Sequence, residues 1–499
     1  MKKLLNWLLK GLLAIVLLLA LGGVSLWAFL PDRYVVNTPL RGLFQTQPLD
    51  SQTLHQRLKL PPGFSLSLYA TGIDGIRVIR ATAAGDLVAS APRTGQVWLL
   101  REDQHGGIDS IELVAGLNRP HGIELHHGWL YIAETDAVGR IRFDPVSGQV
   151  SGEYQHIVDG LPAGGMHWTR TLRLGPDGWM YLTVGSNCNA CEDEPLRAAM
   201  HRFKPDGSSF ETFASGLRNA VGFAWAPWSG ELFVTDNGRD LLGDDLPPCE
   251  LNRVTRNGFY GWPYAWGDRQ PDPDLGEANS QRVAQSVPPA HGFAAHTAPL
   301  GIEFLTGASL PEGYQRSALV AQHGSWNRTR KAGYQVVSLH WDDQGKVTER
   351  PFLTGFEVDE AVYGRPAFIT QASDGTIYLS DDYTGSVYRI RFGDLGDQPV
   401  MDFSKRVVNT SVEDESAGKA DPLGDYAAGQ ALYQQYDCAS CHDPARAGEG
   451  QVIVKLESLQ SRYSPASLSS FLQTPTPPMP AFPLSVVERR QLAAYLLTR

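Results

Sequence analysis

Cysteine is scarce in this sequence, with five among 499 residues. So few cysteines exclude a small domain held together mainly by disulfide bonds. A surplus of basic residues is also missing, because 43 lysines and arginines stand against 54 aspartates and glutamates, for a formal net charge of -11. Without a basic patch to neutralise phosphates, nothing in the composition points to nucleic acid as a partner.

Long uncharged apolar stretches are missing except at the N-terminus. Residues 11–30 contain no charged side chain and follow Lys2, Lys3 and Lys10. A helix of this length spans about 30 Å, the thickness of the hydrocarbon core of a bilayer. The lysines place the N-terminus in the cytoplasm and the rest of the chain outside. A cleaved signal peptide is the alternative, but residues 25–30 offer no clear small-residue cleavage site, so we expect an uncleaved anchor in the inner membrane, with a single pass and periplasmic domains.

Glycine-led turns are abundant and recur regularly. A glycine followed by alternating apolar residues appears at Gly85, Gly128, Gly178, Gly230 and Gly375. The first four glycines stand 43, 50 and 52 residues apart, and a weaker copy at residues 317–321 fills the longer interval. A period of this length with hairpins predicts an all-β six-bladed β-propeller, and a two-sheet sandwich would not explain so regular a repeat. Residues 63–70 are expected to supply the outer strand that closes the ring with the last blade.

The composition changes along the chain and indicates the domain organisation. The segments are an anchor or signal at 1–30, a stalk at 31–60, the propeller at 61–400, a linker at 401–424 and a small domain at 425–499. An excursion at 266–293 interrupts the repeat and is expected either to cover one mouth of the ring or to be a disordered loop. In the last segment, amphipathic patterns predict helices at 426–436 and 485–498, so this domain is all-α.

The string Cys438-Ala-Ser-Cys441-His442 predicts a covalently bound haem c. Two thiols three positions apart form thioethers to the porphyrin, and the imidazole that follows binds the iron. A zinc site or a disulfide loop needs partners, but the last hundred residues contain no second CxxC or HxxxH. Met479 lies between prolines, 37 residues after His442, and is predicted to be the sixth iron ligand, although core packing is the alternative. The small domain is therefore interpreted as a cytochrome c domain.

The remaining cysteines are assigned by compartment and number. Cys188 and Cys191 lie outside the cytoplasm in this interpretation and are predicted to form a small disulfide loop. Cys249 is then left as a free thiol.

Four segments of the repeat carry polar residues in a distinctive combination. They are GMHWTRTLRLGPDG at 165–178, YLTVGSNC at 181–188, GLRNAVGFA at 216–224 and NGFYGWP at 257–263. Together they resemble the soluble quinoprotein glucose/sorbosone dehydrogenase family, especially its sorbosone-dehydrogenase-like branch. The resemblance covers about residues 60–395. It implies a six-bladed propeller that carries pyrroloquinoline quinone and calcium at one mouth and oxidises sugars.

The resemblance also implies roles for individual residues. His167 matches the catalytic base, a task that suits an imidazole because its ordinary pKa is near neutrality. Arg218 and Asn219 match the pair near the quinone oxygens, where a cation stabilises developing negative charge. Arg328 and Arg365 are similar to the arginines that bind the carboxylates of the cofactor.

The resemblance also implies a calcium site, formed near Gly238 and the segment that follows it. The family binds calcium through backbone carbonyls, here around Gly238, and Glu250 follows on the next segment. The sequence departs from the family at Cys249, where an acidic residue is usual. Lys331 is an alternative to Arg328 in binding the cofactor.

The expected function is that of a quinone-dependent periplasmic oxidoreductase. It oxidises an aldose or sorbosone-like sugar, or a related alcohol or aldehyde, and passes electrons through haem c to a quinone or cytochrome of the respiratory chain. Two alternatives stay open, a calcium-dependent lactonase and a non-catalytic binding propeller with an electron-transfer haem domain. A lactonase needs several carboxylates that converge on the axis, whereas the residues named above are mostly arginine and histidine.

Overall fold

The computed structural model describes most of the propeller and parts of the C-terminal segment. The described residues are 34–39, 48–102, 107–307, 310–396, 400–403, 422–436, 438–442, 456, 459, 463, 468, 469, 471, 472, 475, 479, 482, 484 and 486–497. The chain divides into two compact units, Met1–Arg406 and Val407–Arg499. The predicted membrane anchor lies outside the described residues, and among those residues no helix is long and apolar enough to cross a bilayer.

The larger unit is the six-bladed β-propeller that the glycine repeat predicts, with antiparallel strands in each blade. The chain first forms helix α1, Ser51–Arg57, and strand β1, Phe64–Thr71. Blade 1 comprises β2 Ile79–Ala81, β3 Leu87–Ala91, β4 Gln96–Glu102 and β5 Ile108–Val114. Blade 2 comprises β6 Ile123–His126, β7 Trp129–Ala133, β8 Val138–Asp144 and β9 Gln149–Val158. Blade 3 comprises β10 Leu172–Leu174, β11 Met180–Val184, β12 Ala199–Phe203 and β13 Glu211–Ser215. Blade 4 comprises β14 Ala220–Trp225, β15 Leu232–Asp236, β16 Pro248–Val254 and, after an insertion containing β17 Ala265–Trp266 and β18 Gln270–Pro271, β19 His291–Ala295. Blades 5 and 6 comprise β20 Pro299–Phe304, β21 Ser317–Gln322, β22 Gln335–Trp341 and β23 Val347–Leu353; and, after the hairpin β24 Glu357–Val358 and β25 Ala361–Val362, β26 Pro366–Gln371, β27 Ile377–Asp381 and β28 Ser386–Phe392.

The first strand closes the ring, as predicted. β1 pairs antiparallel with β28, so that Phe64 stands opposite Phe392. A short strand β29, Met401–Asp402, then adds to β1 in parallel as the fifth strand of this sheet. The outer strand of blade 6 therefore comes from the start of the propeller sequence, and the ends of the unit are fastened to each other.

The blades are also joined near the axis by buried hydroxyl groups on their second strands. Each donates to a backbone carbonyl of the next blade: Ser90 to His121 at 2.9 Å, Thr235 to Leu300 at 2.6 Å and Ser380 to Arg77 at 2.6 Å. Apolar residues fill the space around these bonds. Val88 and Ile132 belong to a buried cluster that also contains Val221, Leu300 and Phe368 from the inner strands of blades 4, 5 and 6. The core consequently runs between blades and across the axis.

The excursion after blade 4's third strand is folded. It contains the β17–β18 hairpin, a 3₁₀ turn at Glu277–Asn279 and helix α2 at Ser280–Gln285, and it ends in the fourth strand, β19. Asp272 of the excursion pairs with Arg239 at 2.6 Å. The alternative of a disordered loop is therefore wrong, and the excursion is held beside the segment that follows β15.

The smaller unit contains helices α3, Pro422–Gln435, α4, Ala439–His442, and α5, Val486–Leu496. Leu432 of α3 and Leu492 of α5 are buried in one apolar cluster. The two longer helices correspond to the amphipathic patterns in the sequence, and within the described residues this unit is helical.

Candidate active site in the propeller

His167 lies before β10 and is held by the segment that follows β11. Its Nδ1 atom is 2.9 Å from the carbonyl oxygen of Ser186 and 2.9 Å from the Ser186 hydroxyl. The Ser186 amide in turn donates to the carbonyl of Arg218 at 2.8 Å. These bonds occupy Nδ1, and no described residue binds Nε2, so one imidazole nitrogen is oriented by the protein and the other is available to a substrate.

The imidazole of His167 is kept neutral. Burial lowers the pKa of His167 to about 3, and the positive charge of Arg218 acts in the same direction. The imidazole is therefore in the form that can accept a proton at neutral pH, while the same burial and positive charge lower its basicity.

Arg218 is almost completely buried, with 4% of its surface exposed. Its Nε donates to the carbonyl of Asn189 and its Nη2 to the Asn189 side-chain oxygen, both at 2.9 Å. Nη1 donates to the carbonyl of Gly238 at 2.9 Å, and Nη2 lies 3.2 Å from the carboxylate of Asp240. A buried cation is stable only when it is paired in this way, and the same bonds fix the direction of the guanidinium.

Asn219 is next to His167 across a glycine. A Cβ atom on Gly185 would lie 2.6 Å from the Cβ of His167 and 2.9 Å from the side-chain oxygen of Asn219, so only glycine allows this approach. The backbone amides of Arg218 and Asn219 both donate to Asp236, at 2.9 and 2.6 Å. The side-chain oxygen of Asn219 is buried and has no hydrogen-bond partner among the described residues. The structure thus brings together His167, Arg218 and Asn219.

Gly238 and Glu250 line a small cavity beside this group. Asp236 and Asn237 line it too, and its volume of about 30 Å³ is enough for about one water molecule. Burial raises the pKa of Asp236 to about 7, with a further contribution from the charge of Glu250, and burial also raises the pKa of Glu250. The carboxylate of Glu250 accepts from the amide of Gly267 at 2.7 Å.

A second charged group contains Arg365. Its guanidinium donates to the carbonyls of His323 and Gly324, at 3.0 and 2.9 Å. His323 is 2.7 Å from the carboxylate of Asp382, which also binds Arg77. Burial disfavours the charged form of Asp382, but the charges of His323 and Arg77 outweigh it and lower the pKa of the carboxyl. Sequence reasoning did not single out Arg77 or Asp382.

A positional signal was available for Asp382 but not for Arg77, which precedes β2. Ser186, Asn237, His323 and Asp382 all follow directly, or within two residues, the second strand of their blades. Because second strands run in the same direction in every blade, the polar residues after them gather at one end of the ring.

Arg328 is not part of the group around His167. It donates to the carbonyl of Asp244 and, at 3.1 Å, to the carboxylate of Asp245. Its alternative, Lys331, donates to the side chain of Asn37 at 2.6 Å. In the structure Arg328 therefore fastens the 244–245 segment, and its role in binding a cofactor stays a prediction.

The two predicted classes of cysteine in the propeller are confirmed. Cys188 and Cys191 form a disulfide, and Cys249 is a buried free thiol. Among the described residues, the group of histidine, cysteine and acidic side chains whose potential metal-binding atoms converge is Cys188, Cys191 and Asp193. Its two sulfurs are bonded to each other, so it offers no thiolates to a metal.

In the smaller unit, the predicted haem residues lie on one short turn. The amide of His442, the last residue of α4, donates at 3.2 Å to the carbonyl of Cys438, which lies one turn earlier and directly before the helix. Met479 packs against the same apolar cluster as Cys438. A thiol one helical turn before an imidazole suits an iron porphyrin, and the role of Met479 as sixth ligand stays a prediction. The side chain of Cys441, the other predicted thioether ligand, lies outside the described part of the chain.

Comparison with known proteins is consistent with this geometry. Residues 58–253 and 267–392 match the TrAA12-like family. The chain belongs to this family. Residues 424–496 of the TrAA12-like chain match a second family, described as cytochrome c oxidase, cbb3-type, subunit III. The resemblance to a quinoprotein propeller fused to a cytochrome c domain is confirmed, and the two matches identify an oxidoreductase with a haem-carrying domain.

Relatives of this TrAA12-like protein occur in bacteria. An uncharacterised protein of Borreliella burgdorferi is 27% identical over 366 residues, which are 70% of this chain and 95% of the relative. The aldose sugar dehydrogenase YliI of Escherichia coli is 24% identical over 254 residues, or 46% of this chain and 65% of that enzyme.

Solved structures share the fold of this TrAA12-like propeller. The iodide structure of a Trichoderma reesei carbohydrate-active enzyme of family AA12 has a TM-score of 0.59 at 21% identity, covering 68% of this chain and 98% of that one. The pyrroloquinoline quinone domain of Coprinopsis cinerea pyranose dehydrogenase has a TM-score of 0.57 at 22% identity, covering 67% and 97%. At these identities the similarity establishes the fold.

Proposed function

We propose that the protein is a pyrroloquinoline-quinone-dependent dehydrogenase that oxidises an aldose or sorbosone-like sugar and passes the electrons to its own haem c. The observation that carries this proposal is the pairing of a neutral His167 with the buried cation of Arg218 on one wall of the propeller mouth. A base beside a fixed positive charge is the arrangement that removal of a hydroxyl proton requires.

The residues present fit a quinone with several carboxylates. The side-chain oxygen of Asn219 is buried without a partner among the described residues, so a hydrogen-bond donor on a bound group satisfies it. Arg365 binds backbone carbonyls through Nε and Nη2, no described residue binds its Nη1, and guanidinium binds carboxylate and carbonyl oxygens well. We therefore propose that Asn219 and Arg365 hold the cofactor, while Arg218, whose five donors are all bonded to the protein, acts on it through its charge.

The protein's own groups then have defined tasks. When bound, pyrroloquinoline quinone supplies the acceptor for the hydride that leaves the substrate's carbon. Nε2 of His167 takes the proton of the substrate hydroxyl, because Nδ1 is already occupied by Ser186. The guanidinium of Arg218 stabilises negative charge that develops nearby, and it needs no reorganisation because its hydrogen bonds are already made.

Calcium is proposed at the cavity lined by Gly238 and Glu250. Together with Asp236 and Asn237 these residues offer carboxylate, amide and carbonyl oxygens, the donors that a hard cation takes. The side-chain oxygen of Asn237 is buried and has no hydrogen-bond partner among the described residues, so it is a suitable ligand for a cation. The Gly238 carbonyl already accepts from Arg218, so this carbonyl would be shared between the two cations.

The haem domain completes the proposed pathway. Cys438 and Cys441 are proposed to bind the porphyrin, with His442 and Met479 as axial ligands. Haem iron takes electrons one at a time, and a quinone or cytochrome of the respiratory chain is the proposed external acceptor. The N-terminal segment is proposed to anchor the protein in the inner membrane, with both units in the periplasm.

Purified full-length protein loaded with the quinone and calcium tests the function. Addition of an aldose is expected to reduce the haem, seen in its absorption spectrum, and His167→Ala is expected to abolish this reduction while leaving the spectrum of the dithionite-reduced haem unchanged. His55→Ala, at an exposed position of α1, is the matched control and keeps wild-type activity. Reduction of the haem by sugar at an unchanged rate in His167→Ala would refute the assignment of the base.

The same experiment separates the alternatives. A lactonase hydrolyses a lactone without reducing the haem, and a binding propeller does neither. A lactonase needs several carboxylates that converge on the axis, and among the described residues no three carboxylates bring their oxygens together.

A further inference from the structure

The disulfide loop of blade 3 packs against the proposed catalytic residues. Cys188 and Cys191 are bonded across a Cα–Cα distance of 6.2 Å, and the loop they close contains Asn189 and Ala190. The function described above assigns no role to this loop.

Asn189 forms hydrogen bonds to residues of the proposed site through its backbone carbonyl and both polar atoms of its side chain. Its side-chain oxygen accepts from Nη2 of Arg218 at 2.9 Å and from the amide of Asp240 at 2.8 Å, and its side-chain nitrogen donates to the carbonyl of Asp240 at 3.0 Å. Its backbone carbonyl accepts from Nε of Arg218 at 2.9 Å and from the indole of Trp262 at 3.2 Å. One residue thus binds two nitrogens of the guanidinium and also the segment that carries its counter-charge.

The loop also reaches His167. The hydroxyl of Ser186 donates to the carbonyl of Cys188 at 2.8 Å, and this same hydroxyl is 2.9 Å from Nδ1 of His167. The proposed base and the proposed electrostatic group are therefore both attached to a loop of four residues, and the disulfide restricts the conformations of that loop.

We propose that Asn189, presented by the Cys188–Cys191 loop, is a positioning residue that fixes the guanidinium of Arg218 beside His167. This inference rests on the proposed function for its effect on turnover. An amide suits this position because it accepts from Arg218 and donates to Asp240 at the same time, and the acceptor is the part that positions Arg218. An aspartate keeps the acceptor for Arg218 and loses the donor, and an alanine loses both.

The charged groups around His167 predict how its pKa changes when Arg218 loses its bonds to Asn189. Arg218 and Arg197 favour the neutral imidazole and Asp240 favours the charged one, while Arg170 donates to the backbone carbonyl of His167 at 3.1 Å. When the guanidinium moves away, the pKa of His167 rises from about 3 toward its ordinary value.

The test compares Asn189→Ala, Asn189→Asp and Asn187→Ala in the full-length protein. For Asn189→Ala we expect kcat for sugar-dependent haem reduction to fall by about tenfold or more with KM changed less than about threefold, because transition-state stabilisation is lost. The acidic limb of the pH profile moves to higher pH. Asn189→Asp keeps kcat within about threefold of wild type, since it retains the bond to Arg218. Asn187→Ala, an exposed asparagine two residues away, behaves as wild type.

A second measurement does not depend on the loaded enzyme. The titration of His167 is followed by NMR with ¹³C-labelled histidine before the quinone is added, and the resonance is assigned by its absence in His167→Gln. Asn189→Ala and the double variant Cys188→Ser/Cys191→Ser are expected to raise the midpoint of this titration, and Asn187→Ala to leave it unchanged.

The outcomes distinguish the two proposals. Wild-type protein that does not reduce its haem with any sugar overturns the proposed function, and the NMR titration still decides the role of Asn189. An active wild type with an unchanged His167 titration and an unchanged kcat in Asn189→Ala overturns the positioning role alone.

Discussion

At the scale of single residues, the interior of this propeller contains buried histidines that stay neutral. His201 of blade 3 is completely buried, with Nε2 2.9 Å from the carbonyl of Leu196 and Nδ1 3.2 Å from the hydroxyl of Thr212. Burial lowers the pKa of His201 to about 4. Like His167, it stays neutral in the folded chain, but it lies in the sheet and has no part in the proposed chemistry.

His201 therefore couples stability to pH. Between about pH 6.5 and about pH 4 the unfolded chain binds a proton at this residue and the folded chain does not, so the free energy of unfolding falls as the pH falls. The contribution is about 2 kcal/mol between about pH 7.5 and about pH 5. We expect urea denaturation of His201→Gln to show a smaller loss of stability over this interval than wild type. His55→Gln, at an exposed position of α1, is the control. An unchanged pH dependence of stability in His201→Gln would contradict the prediction.

The residues of the site differ in how well the sequence predicts them. His167, Arg218 and Asn219 were found through a family resemblance, and without it a lone histidine reads as a surface or core residue. Arg77 and Asp382 were missed because they are about 300 residues apart in the sequence and become partners only when blade 6 meets blade 1. The sequence predicts the disulfide on either side of Asn189 but not the contacts of Asn189 with Arg218.

At the scale of elements, the ring depends on bonds between blades as well as within them. The hydroxyl of Thr235 on β15 donates to the carbonyl of Leu300 at 2.6 Å, and Thr235 is completely buried. The first strand of blade 5 therefore has one of its carbonyls satisfied by blade 4.

Replacing this hydroxyl with a methyl group tests the contribution of the link. Thr235→Val keeps the shape of the side chain but leaves the Leu300 carbonyl without this donor and the Gly222 amide without this acceptor, so we expect a loss of about 1–3 kcal/mol in the free energy of unfolding. Thr348→Val, at an exposed position of β23, is the matched control and changes stability by less than about 0.5 kcal/mol. Equal stabilities of the two variants in urea denaturation would show that the inter-blade bond contributes nothing.

The strands themselves were predictable and the insertion was not. Glycine turns followed by alternating apolar residues mark the hairpins because the side chains of a strand alternate between two faces. The excursion at 266–293 has no such period, so its 3₁₀ turn, its helix and its contact with Arg239 were not anticipated. The conformation of the excursion is stabilised by contacts with another part of blade 4, such as the ion pair of Asp272 with Arg239.

At the scale of the whole molecule, the proposed base and the proposed iron ligands lie in two different compact units, so their roles can be tested separately. A methionine ligand raises the reduction potential of a haem. We expect Met479→Leu to lower the midpoint potential by on the order of 100 mV, measured by a spectroscopic redox titration. The oxidation of sugar by the quinone-loaded protein with a dye as acceptor is expected to be unchanged, since the proposed base and cofactor residues belong to the other unit.

Met401→Leu is the matched control for this prediction. Met401 lies in β29 of the propeller unit and is buried there, so its replacement leaves the haem potential at the wild-type value. A wild-type potential in Met479→Leu would mean that another group is the sixth ligand.

The sequence by itself determined the repeat of six blades, the strand that closes the ring, the disulfide pairing and the haem-binding string, because each of these is a local pattern of spacing and side-chain type. Only the tertiary structure decided which polar groups meet at the mouth. It placed Asn189 against Arg218 and Ser186 against His167, joined Arg77 to Asp382 and turned Arg328 toward Asp244. These pairings depend on where the loops of different blades come together when the ring closes. The spacing of residues along the chain does not specify which loops come within contact distance.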